Sequence, residues 1–346
     1  MNASFFFEEP EDNLINMARR FDIDDEPLKI IAVLLNFFAW FMPRLFLHSL
    51  YWGLVAALAY FGFISLSIPF LSTHEFEALG CEMFHTKNFK LYFGVHPIVV
   101  SKLWRELYYN GSLSFKASVL FYSGVGGPKP VHLLWALLHL RQKFQEEMFA
   151  HDLDVPLPEF RKWSWLYANG IASLAPKFVV WKNRLPRSCD FISYSKPFVS
   201  VDALVCEFCK VDLPWDPIHP TFFMLYEVAI SIRTGEVVAF SGPFDEFPVG
   251  NIFRAGLKQM LEPNELVAAD STYAGERVVE RGRSVAASHE ILFARLKSWD
   301  VLGKPFIEKS VDKHRIAFEA VLVVEQIRGM MLVEFVSFNE EANEAD

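Results

Sequence analysis

Three carboxylates in the second half of the chain have the sequence setting of site residues. Asp202 interrupts the run 197–205 of apolar and small residues, and Asp270 directly follows a short apolar run. Glu290 falls in a periodic pattern that predicts a helix over 284–299. Taken singly, each acid could be a paired strand residue, a turn cap or part of a helical ion pair. An acid in or beside a buried strand is costly unless something charged compensates it.

Three convergent carboxylates can bind two Mg²⁺ or Mn²⁺ ions roughly 4 Å apart, because hard cations prefer oxygen ligands. Such a pair of ions activates water or a 3′-hydroxyl and stabilises the leaving oxygen of a phosphoryl transfer. The sequence contains neither the G-x-S-x-G nor the H-E-x-x-H motif. Cys206 and Cys209 form a lone C-x-x-C, which we interpret as strand residues rather than half a zinc site.

The elements that must position these acids follow an α/β order. Two further strands are predicted, Leu225 to Ile232 and Val237 to Ser241, with a hairpin turn at 233–236 between them. A helix from Asn251 to Leu261 precedes the strand that ends at Asp270. Two helices follow this strand: one carries Glu290, and the other spans about 313–328. The predicted order is three antiparallel strands, a helix, a fourth strand and more helices. This is the order of an RNase H-like fold, which is a mixed sheet with flanking helices.

The region ahead of these strands is predicted to be entirely helical. A helix begins at Pro97, and others cover 131–143, 145–150 and 156–174. Two short helices and a tight turn before a longer helix indicate a helix-turn-helix, and a plain helical bundle fits the same pattern. Four residues of the last helix are predicted to be exposed for contacts with a nucleic-acid groove: Glu159, Arg161, Lys162 and Ser164.

The net charge of −9 is unusual for a protein that binds nucleic acid, but the charges are unevenly placed. Residues 1–28 and 339–346 together carry −10, so the remainder is about +1 by subtraction. A basic stretch near Asp202 could contact a phosphate backbone, or could be a solvated face. The predicted DNA contacts are Arg161, Lys162, Lys177, Lys182, Arg184 and Arg187, with Arg295 and Lys297 on the helix of Glu290.

The amino-terminal quarter is strongly apolar. Leu45 to Leu71 is 27 residues long with His48 as its only ionisable group, which is enough for a tilted membrane crossing. The alternative is a buried helical hairpin broken at 42–44. The predicted organisation is an acidic disordered head (1–27), an apolar helical segment and candidate membrane anchor (28–75), a helical region (76–185), an RNase H-like domain (186–335) and an acidic tail (336–346).

From about Thr86 to Glu334 the chain resembles a DDE superfamily endonuclease, the transposase type related to the PIF/Harbinger group. Each motif alone is common, and their order over roughly 250 residues is what carries the resemblance. The matching motifs are Y-F-G-V-H-P (92–97), K-P-V-H-L-L-W-A-L-L (129–138), F-R-K-W-S-W (160–165), V-S-V-D (199–202), Y-E-V-A-I-S-I-R-T-G (226–235), S-G-P-F (241–244), I-F-R (252–254), A-D-S-T-Y-A-G (269–275), H-E-I-L-F-A-R-L-K (289–297) and D-K-H-R-I-A-F-E-A-V (312–321).

The resemblance implies that Asp202, Asp270 and Glu290 are the acid triad of a nuclease. It also implies cleavage and transfer of DNA strands with two Mg²⁺ or Mn²⁺ ions, a preceding helix-turn-helix and a nuclear location. An apolar segment at 30–71 instead favours a membrane location. The oligomeric state stays open.

The chain departs from the family pattern at several positions. Ser288 and Phe293 stand where the family has Arg and Asn, and no Asp precedes the I-F-R motif. Asp270 and Glu290 are only 20 residues apart. These departures keep open a catalytically inactive descendant that binds DNA. The apolar run Leu45–Leu71 keeps open a membrane-anchored protein with a relic domain of this type.

Overall fold

The computed structural model divides the chain into two compact units, Met1–Ser67 and Ile68–Asp346. All described residues belong to the second unit. They are 71–84, 88–112, 114–116, 118, 129–142, 145–185, 196–208, 222–245, 249–273, 277–308 and 310–344, with side chains described up to residue 331. The predictions for residues 1–70, and those for Arg187 and Cys209, lie outside this set.

The first part of the unit is helical, as the sequence predicts. Its helices are α1 (Thr73–Phe84), α2 (Phe89–Phe93), α3 (Pro97–Asn110), α4 (Pro130–Arg141), α5 (Glu146–Asp152), α6 (Leu157–Ala172) and α7 (Ala175–Phe178), and a 3₁₀ turn, Trp181–Arg184, follows them. Helix α4 is buried at every position from His132 to Leu140. A helix that is apolar on all sides needs neighbours on all sides, so α4 lies at the centre of the helical layer.

Helix α6 differs in one respect from its prediction as a DNA-reading helix. Glu159 and Lys162 are exposed, but Ser164 is completely buried. Phe160, Trp163 and Tyr167 define the buried stripe of the helix, and Ser164 lies between them at helical spacing. Ser164 is therefore not available for a groove contact.

The second part is a mixed sheet of five strands, so the chain has the α/β class that the sequence predicts. The strands are β1 (Val199–Phe208), β2 (Phe222–Ser231), β3 (Val237–Phe244), β4 (Val267–Ala269) and β5 (Val278–Glu280). Their order across the sheet is β3-β2-β1-β4-β5. The pairs β1–β2 and β2–β3 are antiparallel, and the pairs β1–β4 and β4–β5 are parallel.

The connections after β3 are mostly helical. They are α8 (Val249–Ala255), the 3₁₀ turns Leu257–Met260 and Ser271–Tyr273, α9 (Arg283–Lys297), α10 (Asp300–Gly303) and α11 (Val311–Glu344). Strand β5 was missed by the sequence prediction, which has an irregular connection there. A three-residue strand is too short to show the alternation by which strands are recognised.

Helices cover both faces of the sheet. One face contributes Tyr226, Val228 and Ile230 to a large core that also contains the helices from α1 to α7 and α11. The other face contributes Val201 and Ala229 to a smaller core that contains α8 and the turns around it. Burial on both faces explains why β2, apart from Glu227 and Ser231, is apolar throughout rather than alternating between apolar and polar residues.

In the described part of the chain, no helix has both the length and the apolar character required to cross a membrane. The candidate crossing Leu45–Leu71, apart from its last residue, lies outside that part.

Candidate acidic site at the strand ends

Asp202 and Asp270 lie on neighbouring parallel strands in matching register. Strand β1 pairs with β4 through Val199 with Val267 and Ser200 with Ala268. The same register, continued for two residues, places Asp202 beside Asp270. Adjacent strands are only about 4.8 Å apart, so the two carboxylates, called the acidic pair below, emerge together where the pairing of β1 and β4 ends.

A guanidinium group lies between the two carboxylates. Arg281 Nη1 is 2.6 Å from Asp202 Oδ2, and Arg281 Nη2 is 3.7 Å from Asp270 Oδ2. The side chains of Arg281 and Asp202 are only 14% and 18% exposed, whereas that of Asp270 is 38% exposed. The acidic pair is therefore joined through a positive charge supplied by the protein itself.

Local hydrogen bonds fix the other oxygen of each acid. Asp202 Oδ1 accepts a hydrogen bond from the amide of Ala203 at 2.8 Å. Asp270 Oδ1 accepts one from the amide of Thr272 at 2.8 Å and another from the Thr272 hydroxyl. The second arrangement is an Asx turn, which sets the direction of the Asp270 side chain as the chain leaves β4.

On helix α9 the residue that faces the sheet is His289 rather than Glu290. His289 is completely buried, and its Nε2 lies 3.1 Å from the hydroxyl of Ser200 on β1. Burial lowers the pKa of His289 to about 4, although nearby Asp202 opposes that shift. His289 is therefore a neutral imidazole at neutral pH.

Ser200, His289 and Asp202 are the residue types of a hydrolytic triad, but their arrangement does not fit one. Ser200 is fully buried, so its hydroxyl cannot reach a substrate. His289 Nδ1 has no hydrogen-bond partner among the described residues, whereas a triad needs Nδ1–H to donate to the carboxylate. We interpret this contact as one that anchors α9 to β1.

Glu290 is exposed on α9 and forms no hydrogen bond or ion pair within the described residues. The structure thus brings two of the three predicted acids together and leaves the third on the solvent side of the neighbouring helix. The buried side of α9 also differs from the predicted apolar side, because Ile291 is 55% exposed while Leu296 is buried.

A fourth carboxylate, not predicted as a site residue, lies under the opposite face of the sheet. Glu227 on β2 is completely buried, and its Oε2 lies 3.3 Å from both the Ser241 hydroxyl and the Leu257 amide. Burial raises the pKa of Glu227 to about 7. The sequence carries a usable signal for it, since Glu227 interrupts an apolar strand in the same way as Asp202 does.

The hydroxyl of Tyr273 is affected by the charges of both Glu227 and the acidic pair. This hydroxyl is buried and has no hydrogen-bond partner among the described residues. Burial raises the pKa of Tyr273, and the charges of Glu227, Asp202 and Asp270 raise it further. Three carboxylates, on β1, on β2 and directly after β4, therefore lie close enough to this one hydroxyl to act on its ionisation.

Several of the predicted DNA contacts are engaged within the protein. Arg161 pairs with Glu146, and Lys177 pairs with Glu106. Arg184 is buried and binds Glu265 through two contacts of 2.8 and 3.1 Å, so it is inaccessible to a phosphate. The remaining described contacts are exposed or half-buried: Lys162 and Lys182 in the helical region, and Arg295 and Lys297 near the end of α9.

A second cluster has residue types that can bind a metal. Ligand atoms of His139, Glu146 and Glu308 lie within 4.8 Å of one another. Arg161 Nε is 2.5 Å from Glu146, and Lys313 Nζ is 2.6 Å from Glu308. Two cations thus already balance the two carboxylates, which disfavours the addition of a divalent ion.

The acidic pair fits a divalent cation by the chemistry of its donors. Carboxylate oxygens are the ligands that Mg²⁺ and Mn²⁺ prefer, and part of Asp270 is open to solvent. One of the two negative charges of the pair is balanced by Arg281. An ion that binds both carboxylates would compete with the guanidinium for their Oδ2 atoms.

Comparison with known proteins adds no identification: no family model, no curated protein and no solved structure matches this chain.

Proposed function

We propose that the domain is RNase H-like and derives from a DDE transposase, and that it cleaves or joins DNA strands with the help of a divalent metal ion. One observation carries the proposal: Asp202 in β1 and Asp270 directly after β4 lie in matching register on adjacent parallel strands of a β3-β2-β1-β4-β5 sheet. The first three strands are antiparallel, and a helix bearing Glu290 follows the last strand. Fold and acid order together support this assignment.

In the proposed site, Asp202 and Asp270 would bind the metal, because they are the two predicted acids that the structure brings together. The bound ion supplies activation of water or a 3′-hydroxyl and stabilisation of the leaving oxygen. The protein's own residues set the geometry, because Ala203 and Thr272 hold Oδ1 of Asp202 and of Asp270, which leaves Oδ2 of each acid on the side of Arg281. A DNA substrate would place the protein in the nucleus.

Basic residues near the acidic pair support a phosphate-containing substrate better than the predicted basic stretch does. Arg254 and Arg283 are exposed and form no ion pair within the described residues. Arg283 begins α9, two residues after Arg281. Arg254 lies near Thr272, because a Cβ on Gly250 would be 3.9 Å from Arg254 Nη2 and 3.7 Å from the Thr272 carbonyl oxygen.

A second function is favoured by the ion pair between Arg281 and Asp202. A guanidinium that neutralises an acidic site is the state expected of a descendant that still binds DNA and no longer cleaves it. The departures from the family pattern at Ser288 and Phe293 favour the same alternative.

The test is nicking of supercoiled plasmid by the full-length chain with Mg²⁺ or Mn²⁺. We expect Asp202→Asn and Asp270→Asn to abolish nicking, because each removes a carboxylate ligand. Asp312→Asn is the matched control, because the Asp312 side chain is 85% exposed on α11. This variant should nick plasmid as the unmodified chain does.

A gel-shift series across salt concentrations separates the two functions. Salt-dependent DNA binding without nicking would support the non-cleaving descendant, because phosphate contacts weaken as salt rises. Nicking that survives both Asp→Asn substitutions would overturn the assignment of the site. A chain that neither nicks nor shifts DNA at about 50 mM salt would exclude both functions.

A further inference from the structure

We infer that Arg281 is an internal counter-ion of the acidic pair, which occupies the cation position and lowers the affinity of the site for divalent metal. This inference rests on the proposed function, in that it takes the ligand of the acidic pair to be a divalent cation. It adds a role for a residue that neither the motifs nor the resemblance assigns.

The guanidinium is directed to this position by backbone pairing. The amide of Arg281 donates a 3.0 Å hydrogen bond to the carbonyl oxygen of Ala269, the residue before Asp270. This bond continues the parallel pairing of β4 and β5 by one step. Gly282 follows at once and begins the turn into α9. Arg281 is thus held at the edge where the acidic pair emerges.

The contacts of Arg281 are those of a cation shared by two ligands. Its two terminal nitrogens approach different carboxylates, at 2.6 Å for Asp202 and 3.7 Å for Asp270. With 14% of its side chain exposed, the guanidinium is mostly shielded from water, so its attraction to the acids is weakly screened. A divalent ion would compete for the same oxygens, and the nearby positive charge would repel it.

A metal ion bound to both carboxylates and the ion pair of Arg281 with Asp202 would compete for the same oxygens, so each weakens the other. Removal of the guanidinium leaves two adjacent carboxylates with no cation between them, which destabilises the metal-free protein and strengthens metal binding. A purely structural role, in which Arg281 only attaches β5 to the sheet, predicts lost stability without any gain in metal affinity. The two roles therefore differ in a measurable way.

The experiment measures binding of Mn²⁺ alone to the full-length chain, by electron paramagnetic resonance of the free ion. We expect Arg281→Gln to bind Mn²⁺ roughly ten-fold more tightly or more, in line with the one to three pKa units by which a neighbouring charge shifts a carboxylate. Arg105→Gln, at an exposed arginine on α3 outside the proposed site, is the matched control and should bind as the unmodified chain does. Asp202→Asn added to Arg281→Gln should abolish the gain.

Thermal unfolding with and without Mn²⁺ gives a second readout that does not depend on activity. We expect Arg281→Gln to have a lower Tm than the unmodified chain without metal, and a larger increase in Tm when Mn²⁺ is added. If the variant folds only with Mn²⁺ present, the ion has replaced the guanidinium and the inference is supported. If it stays unfolded in Mn²⁺, Arg281 is structural and the inference is overturned.

The failure of this inference can be told apart from the failure of the proposed function. Equal Mn²⁺ affinity in the unmodified chain and in Arg281→Gln, lost in both on Asp202→Asn, would overturn the inference and leave the metal site in place. No Mn²⁺ binding by any variant would remove the metal site, and both proposals would fall with it.

Discussion

Glu227 is the ionisable residue whose surroundings most clearly predict a pH effect on stability. Its carboxyl is completely buried on β2, and its Oε1 has no hydrogen-bond partner among the described residues. Burial disfavours the charged form, which raises its pKa from 4.5 to about 7. The folded protein therefore holds this proton at pH values where the unfolded chain has released it.

The pH dependence that follows has a definite sign. Between about pH 4.5 and 7 the folded state binds more protons at Glu227 than the unfolded state does, so this residue's stabilising contribution is lost as pH rises through that window. In Glu227→Gln the side chain is neutral at every pH. We expect the free energy of unfolding of Glu227→Gln, relative to the unmodified chain, to rise with pH by up to about 1.36 kcal/mol per unit.

Urea denaturation at several pH values measures this difference. His289 contributes an opposite slope, because its lowered pKa favours the folded state as pH rises from about 4 to 6.5. That slope is common to both proteins and cancels in the comparison. Glu207→Gln, an exposed glutamate on β1, is the matched control and should parallel the unmodified chain. Parallel profiles for Glu227→Gln and the unmodified chain would show that folding does not raise the pKa of Glu227.

The sequence predicts that Asp202 and Asp270 lie together, because apolar runs locate their strands and the element order matches an RNase H-like fold. The parallel pairing of β1 with β4 is visible only in the structure. The sequence was insufficient for α9, where His289 and Glu290 differ by a rotation of about 100° around the helix axis. A charge-based argument selects the glutamate, whereas packing selects the histidine, whose Nε2 bonds to Ser200. The position of Arg281 depends on β5, and three residues do not reveal a strand.

At the level of elements, the close approach of the end of α10 to the end of α9 depends on an exposed glycine. Gly303 is exposed, and its amide donates to the carbonyl oxygen of Trp299. A Cβ at this position would overlap the carbonyl oxygen of Lys297, near the end of α9. The two helices could then no longer approach as closely as they do.

We expect Gly303→Ala to destabilise the protein by about 1–3 kcal/mol, the usual cost of forcing atoms into a well-packed place. Gly329→Ala on α11 is the control of opposite sign, because a Cβ there has no heavy atom within 4 Å and alanine is the better helix former. It should stabilise the protein by about 0.5–1 kcal/mol. The measurement is the urea midpoint of each variant, which should fall for Gly303→Ala and rise for Gly329→Ala. Equal midpoints for the two variants would contradict the packing argument.

At the level of the whole molecule, the helical region and the sheet are built around a shared core. Phe76 on α1, Trp104 on α3 and Tyr226 on β2 belong to one cluster of buried side chains, together with Phe318 on α11. The long helix α11 packs on α6 and on the sheet side through this cluster. The acidic site is therefore supported by helices that come both before and after the sheet in the chain.

The shared core predicts where the chain can be shortened. Ile68–Asp346 is a compact unit that contains this core, so a chain beginning at Ile68 should fold and unfold in one cooperative transition. A chain beginning at Pro97 lacks α1 and α2 and loses Phe76, Phe89 and Phe93, which are at most 3% exposed. Burying one such side chain contributes about 1.5–3 kcal/mol, so the three together approach the whole stability of a typical domain.

Denaturation followed by circular dichroism compares the two shortened chains. We expect the chain from Ile68 to show a sharp transition and the chain from Pro97 to be largely unfolded, or to unfold at a much lower urea concentration. Equal midpoints would mean that α1 and α2 are accessory to the fold. A broad, non-cooperative transition for the chain from Ile68 would instead mean that the helices and the sheet do not stabilise one another through their common core.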